Sequence, residues 1–196
     1  MALDNQSPEV FGQTPWQTVG PFFHGALPWT GGPDLVGASD LDDAIEIVGR
    51  VFDADGAPVP DALIEIWQAN AAGRYHSEAD PRVDLSLDAT FIGFGRSSTA
   101  EDGAFRFRTV RPGAVPGPGN SLQAPHIAVG VLGRGLLKRL VTRIYFAGEP
   151  LNGADPILAL VPAARQVTLL ASPETPGVWR FDIHLAGARE TVFFDV

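Results

Sequence analysis

The sequence contains no cysteine, only two tyrosines and four histidines, and no long apolar run. Without cysteine there are no disulfides, no thiolate metal ligands and no cysteine nucleophile. No apolar run approaches the ~20 residues that a membrane-spanning helix needs. The first ten residues also lack the basic and apolar regions of a signal peptide. These absences predict a cytoplasmic protein.

Positive charge is scarce as well. The formal net charge is −9, so no general electrostatic footprint exists for nucleic acid or for an anionic membrane. Charged residues make up 19% of the chain and apolar residues 45%. That proportion is lean for the surface of a monomer, and we expect some apolar area to be buried against a partner.

The first 43 residues show little periodicity and are rich in proline, glycine and aspartate. We interpret residues 1–43 as an N-terminal arm with little regular structure. The arm carries Trp16, Phe22, Phe23 and Trp29, which are unlikely to be left in water. We expect the arm to pack over this domain or over a partner chain.

From residue 44 the pattern changes to short strands separated by turns. Apolar and polar residues alternate most clearly in residues 104–110, where Phe105 and Phe107 face inward. The other predicted strands are residues 45–52, 62–69, 126–132, 140–146, 166–171, 178–186 and 190–196. In the third of these the strand repeat places His126 and Ala128 on one face. About eight short strands predict an all-β domain over residues 44–196, with an antiparallel β-sandwich core and long loops.

Two long segments carry weak strand signals, and they are where a site is most expected. These are residues 72–98, including the glycine pair of "GFGRSS" that we interpret as a turn, and residues 111–125. The spacing of His24, His76 and His126 matches no known metal signature. His184 lies on the polar side of a predicted strand, which favours a solvated imidazole.

Several stretches together resemble the intradiol ring-cleaving catechol dioxygenases, in family order and over most of the chain. The most specific are "EIWQANAAGRY" (65–75) and the C-terminal "ETVFFDV" (190–196). Others are "TPWQTVGPFF" (14–23), "FGRSSTAEDGAFRFRTVRPG" (94–113), "APHIAVGVLGRGL" (124–136) and "TRIYF" (142–146). The resemblance implies a β-sandwich fold and pairs of homologous alpha and beta chains.

In this family the iron-binding chain holds Fe(III) with two tyrosines and two histidines. The first tyrosine matches Tyr75, and the first histidine matches His126. Gly119 stands where the second tyrosine is expected, and Ala128 stands where the second histidine is expected. The resemblance therefore implies an alpha chain with a degenerate iron site, no metal of its own, and no complete catalytic set. Tyr75 and His126 are then expected to be buried and satisfied by hydrogen bonds.

The resemblance further implies that this chain completes the active site of an iron-bearing beta chain. Thr18, Gly20, Pro21 and Phe22 of the arm match residues that reach the partner's substrate pocket, and Arg134 matches an arginine there. The expected substrates are protocatechuate and O₂, and the expected product is 3-carboxy-cis,cis-muconate. Arg134 suits the substrate carboxylate, because a guanidinium can bind a carboxylate through two hydrogen bonds.

Two other interpretations stay open from the residues alone. One is a non-catalytic β-sandwich binding module that has no dioxygenase partner. The other is a self-sufficient metalloenzyme that uses His24, His76 and His126. The first predicts a stable monomer, and the second predicts stoichiometric metal in the isolated chain.

Overall fold

The computed structural model describes residues 15–37, 44–87 and 90–195. Residues 1–14 and 38–43 of the predicted arm lie outside the described residues, as does residue 196 of the last predicted strand. The strands are β1 (Ala44–Phe52), β2 (Leu63–Trp67), β3 (Phe94–Ser98), β4 (Ala104–Val110), β5 (Val115–Pro116), β6 (Leu122–Gln123), β7 (His126–Leu132), β8 (Leu140–Phe146), β9 (Leu170–Thr175), β10 (Val178–Arg180) and β11 (Ile183–His184). The helices are α1 (Phe23–Ala26) and α2 (Ala163–Gln166), with 3₁₀ turns at Pro150–Ala154, Leu158–Leu160 and Val167–Leu169. Within the described residues, no helix combines the length and the apolar character that crossing a membrane requires.

Nine of the strands form one mixed sheet. Its order is β11-β1-β10-β9-β8-β7-β2-β3, with β4 paired to β1. The pairs β1–β10, β1–β11 and β8–β9 are parallel, and the others in the sheet are antiparallel. The predicted antiparallel sandwich is therefore not confirmed, although the mainly β architecture is. The alternation within a strand says which side is buried, but it carries no information about the direction of the neighbouring strand.

The parallel pair β8–β9 follows from the chain between its two strands. Two parallel neighbours need a crossover of a dozen or more residues, because the chain must return to the same end of the sheet. Residues 147–169 provide that crossover, and they contain α2 and the three 3₁₀ turns. The predicted strand at 166–171 is wrong for most of its length, because its first four residues are helical and only the last two begin β9.

The sheet is nearly closed by the segment just before β1. The carbonyl of Gly32 accepts a hydrogen bond from the Arg96 N–H of β3, at 3.0 Å. The carbonyl of Pro33 accepts from the Arg108 N–H of β4, and the Leu35 N–H donates to the Arg108 carbonyl, each at 2.9 Å. Residues 32–35 thus join the two ends of the sheet, which gives it a barrel-like shape.

The core fills the inside of this curved sheet. Ile47 and Val51 of β1 and Phe107 of β4 are completely buried there, and Phe105 is nearly so, as their alternation predicted. Gly49 faces the same side, and a Cβ at this position would lie 1.9 Å from the Phe181 carbonyl oxygen. Glycine is required because the chain after β10 passes directly over β1.

One strand lies where the sequence predicted a loop. Residues 94–98, including most of "GFGRSS", form β3 and pair with β2 over its whole length. Gly95 faces inward, where a Cβ would lie 2.5 Å from Leu35 Cδ1. Glycine is a weak strand former, and so the sequence of this segment did not predict a strand. It is needed here because only glycine leaves room for Leu35 to pack this closely.

Candidate functional site

The two degenerate iron-site positions on β7 lie on the outer face of the sheet, opposite the main core. Ile127 and Val129 of β7 point into the core, whereas His126 and Ala128 point to the opposite face. On that face Ala128 lies between Trp67 of β2 and Arg143 of β8 in the strand register. The pattern of residues 126–130 therefore places the first and third side chains together, as the sequence predicted.

Tyr75 comes from the loop after β2 and lies flat against this face. Its ring stacks on Trp67, with ring centroids 5.7 Å apart and planes inclined by 12°. Its N–H donates to Asp80 Oδ2 at 2.8 Å, which holds the loop in place. Burial raises the pKa of the Tyr75 hydroxyl, while the nearby Arg143 and Arg82 charges act to lower it. Within the described part of the chain the Tyr75 hydroxyl has no hydrogen-bond partner, in contrast to the satisfied hydroxyl we expected.

His126 is held in one orientation. Only 5% of the residue is exposed, and its Nδ1 lies 2.8 Å from the Ala124 carbonyl oxygen. Because a carbonyl can only accept, Nδ1 carries the proton and Nε2 is the free acceptor. Burial, with a smaller contribution from Arg143, lowers the pKa of His126 to about 4, so the imidazole is neutral at neutral pH. A histidine that binds a metal through Nε2 commonly has this same arrangement, with Nδ1–H donating to a backbone carbonyl.

Behind His126 lies a polar network that the sequence did not predict. The Tyr145 hydroxyl donates to Asp155 Oδ1 at 3.1 Å and lies 3.4 Å from Arg143 Nη1, which also donates to Gln123 Oε1 at 2.7 Å. Asp155 is fully buried and also accepts from the N–H groups of residues 124, 157 and 158. Burial raises the pKa of Tyr145 to about 12.

Arg143 and Tyr145 could have been found from the sequence. They alternate with Ile144 in a predicted strand, so they lie on the face opposite the core. The missing information was the pairing of β7 with β8, which places Tyr145 opposite His126 and Arg143 opposite Ala128. Asp155, in a 3₁₀ region, carried no such signal.

A cavity of about 450 Å³ opens beside these residues. Its aromatic wall is Trp67 and Tyr75, and Gln123 with the β5–β6 hairpin forms another side. Asp80 and Arg82 also line it, and they form an ion pair with each other. This ion pair holds the pKa of the Asp80 carboxyl well below its usual range.

The residues at the four matched positions do not fit Fe(III). Tyr75 and His126 offer one phenol and one imidazole, and Ala128 offers no donor. Gly119 lies in the connection between β5 and β6 with a φ of +62°, and a Cβ there would meet no atom within 4 Å. The guanidinium of Arg143 is a fixed positive charge on the strand position opposite Ala128. A trivalent cation would face too few ligands and a repelling charge.

The histidines do not assemble a metal site either. In the described residues, no three His, Asp or Glu side chains come close enough to hold a metal ion. His24 lies in α1, and His76 Nδ1 lies 3.2 Å from the Phe91 carbonyl oxygen. His184 lies on the partly exposed side of β11, as predicted from the alternation, and its ring stacks on Phe52 with centroids 5.0 Å apart.

The arm residues form a second group at the surface. Thr18 Oγ1 accepts a hydrogen bond from the Gly135 N–H at 3.1 Å, which places the arm beside the turn that carries Arg134. Arg134 is itself exposed and its Nε forms an ion pair with Asp61 Oδ2 at 3.1 Å. Phe22 is 83% exposed, and Trp16, 65% exposed, lies against Lys138. Gly20 takes a positive φ of 74° just before Pro21, which turns the chain there.

Comparison with known proteins gives consistent matches. A family model described as "Dioxygenase" matches residues 33–187. The protocatechuate 3,4-dioxygenase alpha chain of Burkholderia cepacia is 43% identical over 94% of this chain and 98% of its own length. The beta chain from the same organism is 42% identical over 67% of this chain and 56% of its own length. The solved dioxygenase domain of a carbohydrate-binding fusion protein from Streptomyces sp. SirexAA-E superimposes with a TM-score of 0.60 at 29% identity, covering 82% of this chain and 89% of that domain.

Proposed function

The chain belongs to the intradiol dioxygenase family, and we propose that it completes, as the alpha subunit, the active site of a homologous iron-bearing beta subunit. In this assembly the beta subunit cleaves protocatechuate with O₂ to 3-carboxy-cis,cis-muconate. The proposal is supported by strong similarity to both an alpha chain and a beta chain of protocatechuate 3,4-dioxygenase.

One observation most directly supports the proposal that the iron lies in the beta subunit and that this chain contributes its arm and the Arg134 turn. The four metal-ligand positions of this chain do not fit Fe(III), whereas its arm and the Arg134 turn meet at the exposed surface through the Thr18–Gly135 hydrogen bond. Exposed Trp16 and Phe22 give this region apolar area that a partner would cover. We propose that residues 1–43 form an arm that packs on the beta subunit.

Arg134 is the residue we assign to the substrate carboxylate. Its Nε pairs with Asp61, which orients the side chain, and this ion pair is exposed and therefore weak. In the part of the chain that the structure describes, its two terminal nitrogens have no hydrogen-bond partner, so both can donate to a carboxylate. Thr18, Gly20, Pro21 and Phe22 shape the adjacent wall, so the contribution of this chain is positioning and exclusion of water.

The kinetic test uses the assembled enzyme with Arg134→Ala. We expect KM for protocatechuate to rise about tenfold with a smaller change in kcat, because a charge-assisted contact to the bound substrate is lost. Catechol, which has no carboxylate, should be converted equally well by both forms. The matched control is Arg50→Ala, which removes another exposed arginine that pairs with an aspartate. An unchanged kcat/KM for protocatechuate in Arg134→Ala would remove this role.

The assembly test measures iron content and visible absorption of the chain alone and after co-expression with a candidate beta chain. We expect the isolated chain to be colourless and iron-free. A tyrosinate-to-iron band should come only with a complex that contains both chains. Stoichiometric iron in the isolated chain would contradict the proposal.

A further inference from the structure

The cavity beside the degenerate iron site has the composition of a small-molecule pocket. Its volume of about 450 Å³ falls in the range of roughly 300–1,000 Å³ that is usual for such pockets. Trp67 and Tyr75 stack to give a flat aromatic wall, and Val115, Pro116 and Pro81 add apolar surface. This lining favours a planar, apolar ring system.

Some polar groups at this site are already paired within the chain, and others are able to bind a ligand. The Asp80 carboxylate accepts hydrogen bonds from the Arg82 guanidinium and from the Tyr75 N–H. The negative charge of Asp80 and the positive charge of Arg82 therefore neutralise each other. On the same face of the sheet Arg139 and Arg96 both pair with Glu65. These charges are not available to a ligand.

Arg143 is the exception on this face. Within residues 15–37, 44–87 and 90–195 it forms no ion pair, and its only hydrogen bonds run from Nη1 to the neutral Gln123 and Tyr145 side chains. In the strand register Arg143 lies opposite Ala128, which itself lies opposite Trp67, the ring on which Tyr75 stacks. The charge of Arg143 acts to lower the pKa of both Tyr75 and His126. The buried Asp155 is separated from it by the Tyr145 hydroxyl. Arg143 reaches the cavity wall through Gln123, which lines the cavity and accepts its hydrogen bond. Among the described residues its Nε and Nη2 have no hydrogen-bond partner.

Tyr75 supplies a second unused donor. Its hydroxyl has no partner among the described residues, and the ring that carries it lines the cavity. A phenol and a guanidinium together are suited to an oxyanion, which accepts hydrogen bonds from both. A cation would be repelled by Arg143, and an uncharged ring would leave both donors unpaired.

We propose that this cavity is a metal-free binding site for one small aromatic carboxylate per chain. The ring lies against Trp67 and Tyr75, and the carboxylate accepts hydrogen bonds from Arg143 and the Tyr75 hydroxyl. The site goes beyond the proposed function, because it uses neither the arm nor the Arg134 turn and involves no reaction.

The test is a titration of the full chain alone with 4-fluorobenzoate, followed by ¹⁹F NMR, because the assembled enzyme would add the substrate site proposed at Arg134. We expect saturable binding with one site per chain, weakened about tenfold or more in Arg143→Gln. Arg139→Gln is the matched control, because it removes an arginine of the same face that is already paired, and its affinity should stay within about twofold. Equal affinity in Arg143→Gln and the unchanged chain would overturn the proposal, and so would the absence of saturable binding.

A second variant and two further probes separate the parts of the site. Tyr75→Phe keeps the ring on Trp67 and removes only the hydroxyl, so we expect about threefold weaker binding. This variant tests the site even if Arg143→Gln does not fold.

Acetate and benzyl alcohol should each compete poorly, because acetate lacks the aromatic ring and benzyl alcohol lacks the carboxylate. Acetate competing as well as benzoate would overturn the assignment to an aromatic ligand. The test measures binding to this chain alone. Its result therefore does not depend on whether the chain has a dioxygenase partner.

Discussion

The degenerate iron site and the arm region make opposite use of similar residue types. At the degenerate site, polar groups are buried and mostly paired within the chain: Asp155 alone accepts four hydrogen bonds. In the arm region, Thr18 and Arg134 are held by one exposed contact each. Among the described residues, the first region satisfies most of its polar groups internally and keeps unused donors on Arg143 and the Tyr75 hydroxyl. The second region has exposed aromatic side chains and an exposed charge.

This difference fits the proposed division of one active site between two homologous chains. At the degenerate site Arg143 supplies a positive charge opposite Ala128, and Gln123 and Tyr145 accept its hydrogen bonds. The face keeps its packing and therefore continues to stabilise the sheet. The surface around Arg134 is free of that constraint, and so it can serve a partner.

The largest effect is expected when metal binding is restored at the degenerate site, which would remove the main difference from an iron-bearing chain. Gly119→Tyr with Ala128→His supplies the two missing ligand types, yet we expect no iron while Arg143 remains, because its charge repels Fe(III). Adding Arg143→Gln should change iron content from none to as much as one per chain, measured by elemental analysis and by a tyrosinate-to-iron band. Iron in the double variant that still carries Arg143 would show that this charge is not the obstacle.

The next largest effect is expected from Asp155→Ala. It leaves the Tyr145 hydroxyl and three backbone N–H groups unpaired in the interior. We expect a loss of about 3–5 kcal/mol in the free energy of unfolding, measured by equilibrium denaturation. Asp102→Ala is the control, since it removes an exposed carboxylate paired with Arg50 and should barely move the midpoint. Similar midpoints for the two variants would mean that the buried network contributes little.

His126 predicts a specific dependence of stability on pH. The folded state lowers its pKa from 6.5 to about 4, so the unfolded chain binds a proton that the folded chain does not between these values. The associated stability is present above pH 6.5 and is lost as pH falls towards 4, by up to about 3 kcal/mol. His126→Gln, which cannot titrate, should show a shallower decline of unfolding free energy over this window. Parallel curves would assign the acid sensitivity to other groups.

The smallest effect on stability is expected in the arm. Thr18→Val removes the hydroxyl that accepts from the Gly135 N–H, but this N–H can bond to water instead. We expect the free energy of unfolding of the chain to change by less than about 1 kcal/mol, while KM for protocatechuate in the assembled enzyme rises. Thr18→Ser, which keeps the hydroxyl, should restore KM. A large loss of stability in Thr18→Val would make the arm a structural element of this chain.

The sequence was sufficient for the strands whose two sides differ in polarity. Alternation correctly predicted the core side of β4 in residues 104–110, and it correctly separated the two sides of β7 in residues 126–130. It also placed His126 and Ala128 on one face, and the family resemblance that was carried by motifs such as "EIWQANAAGRY" was confirmed. These features are local, because a strand repeats every two residues whatever lies beside it.

Only the tertiary structure decided which strands are neighbours and in which direction. Residues 94–98 became β3 because β2 offered a partner and Gly95 allowed Leu35 to pack closely. The mixed, nearly closed sheet and the position of Arg143 opposite Ala128 likewise depend on pairing between distant segments. Register and direction are set by contacts that cooperate across the whole fold, and no short stretch of the sequence contains them.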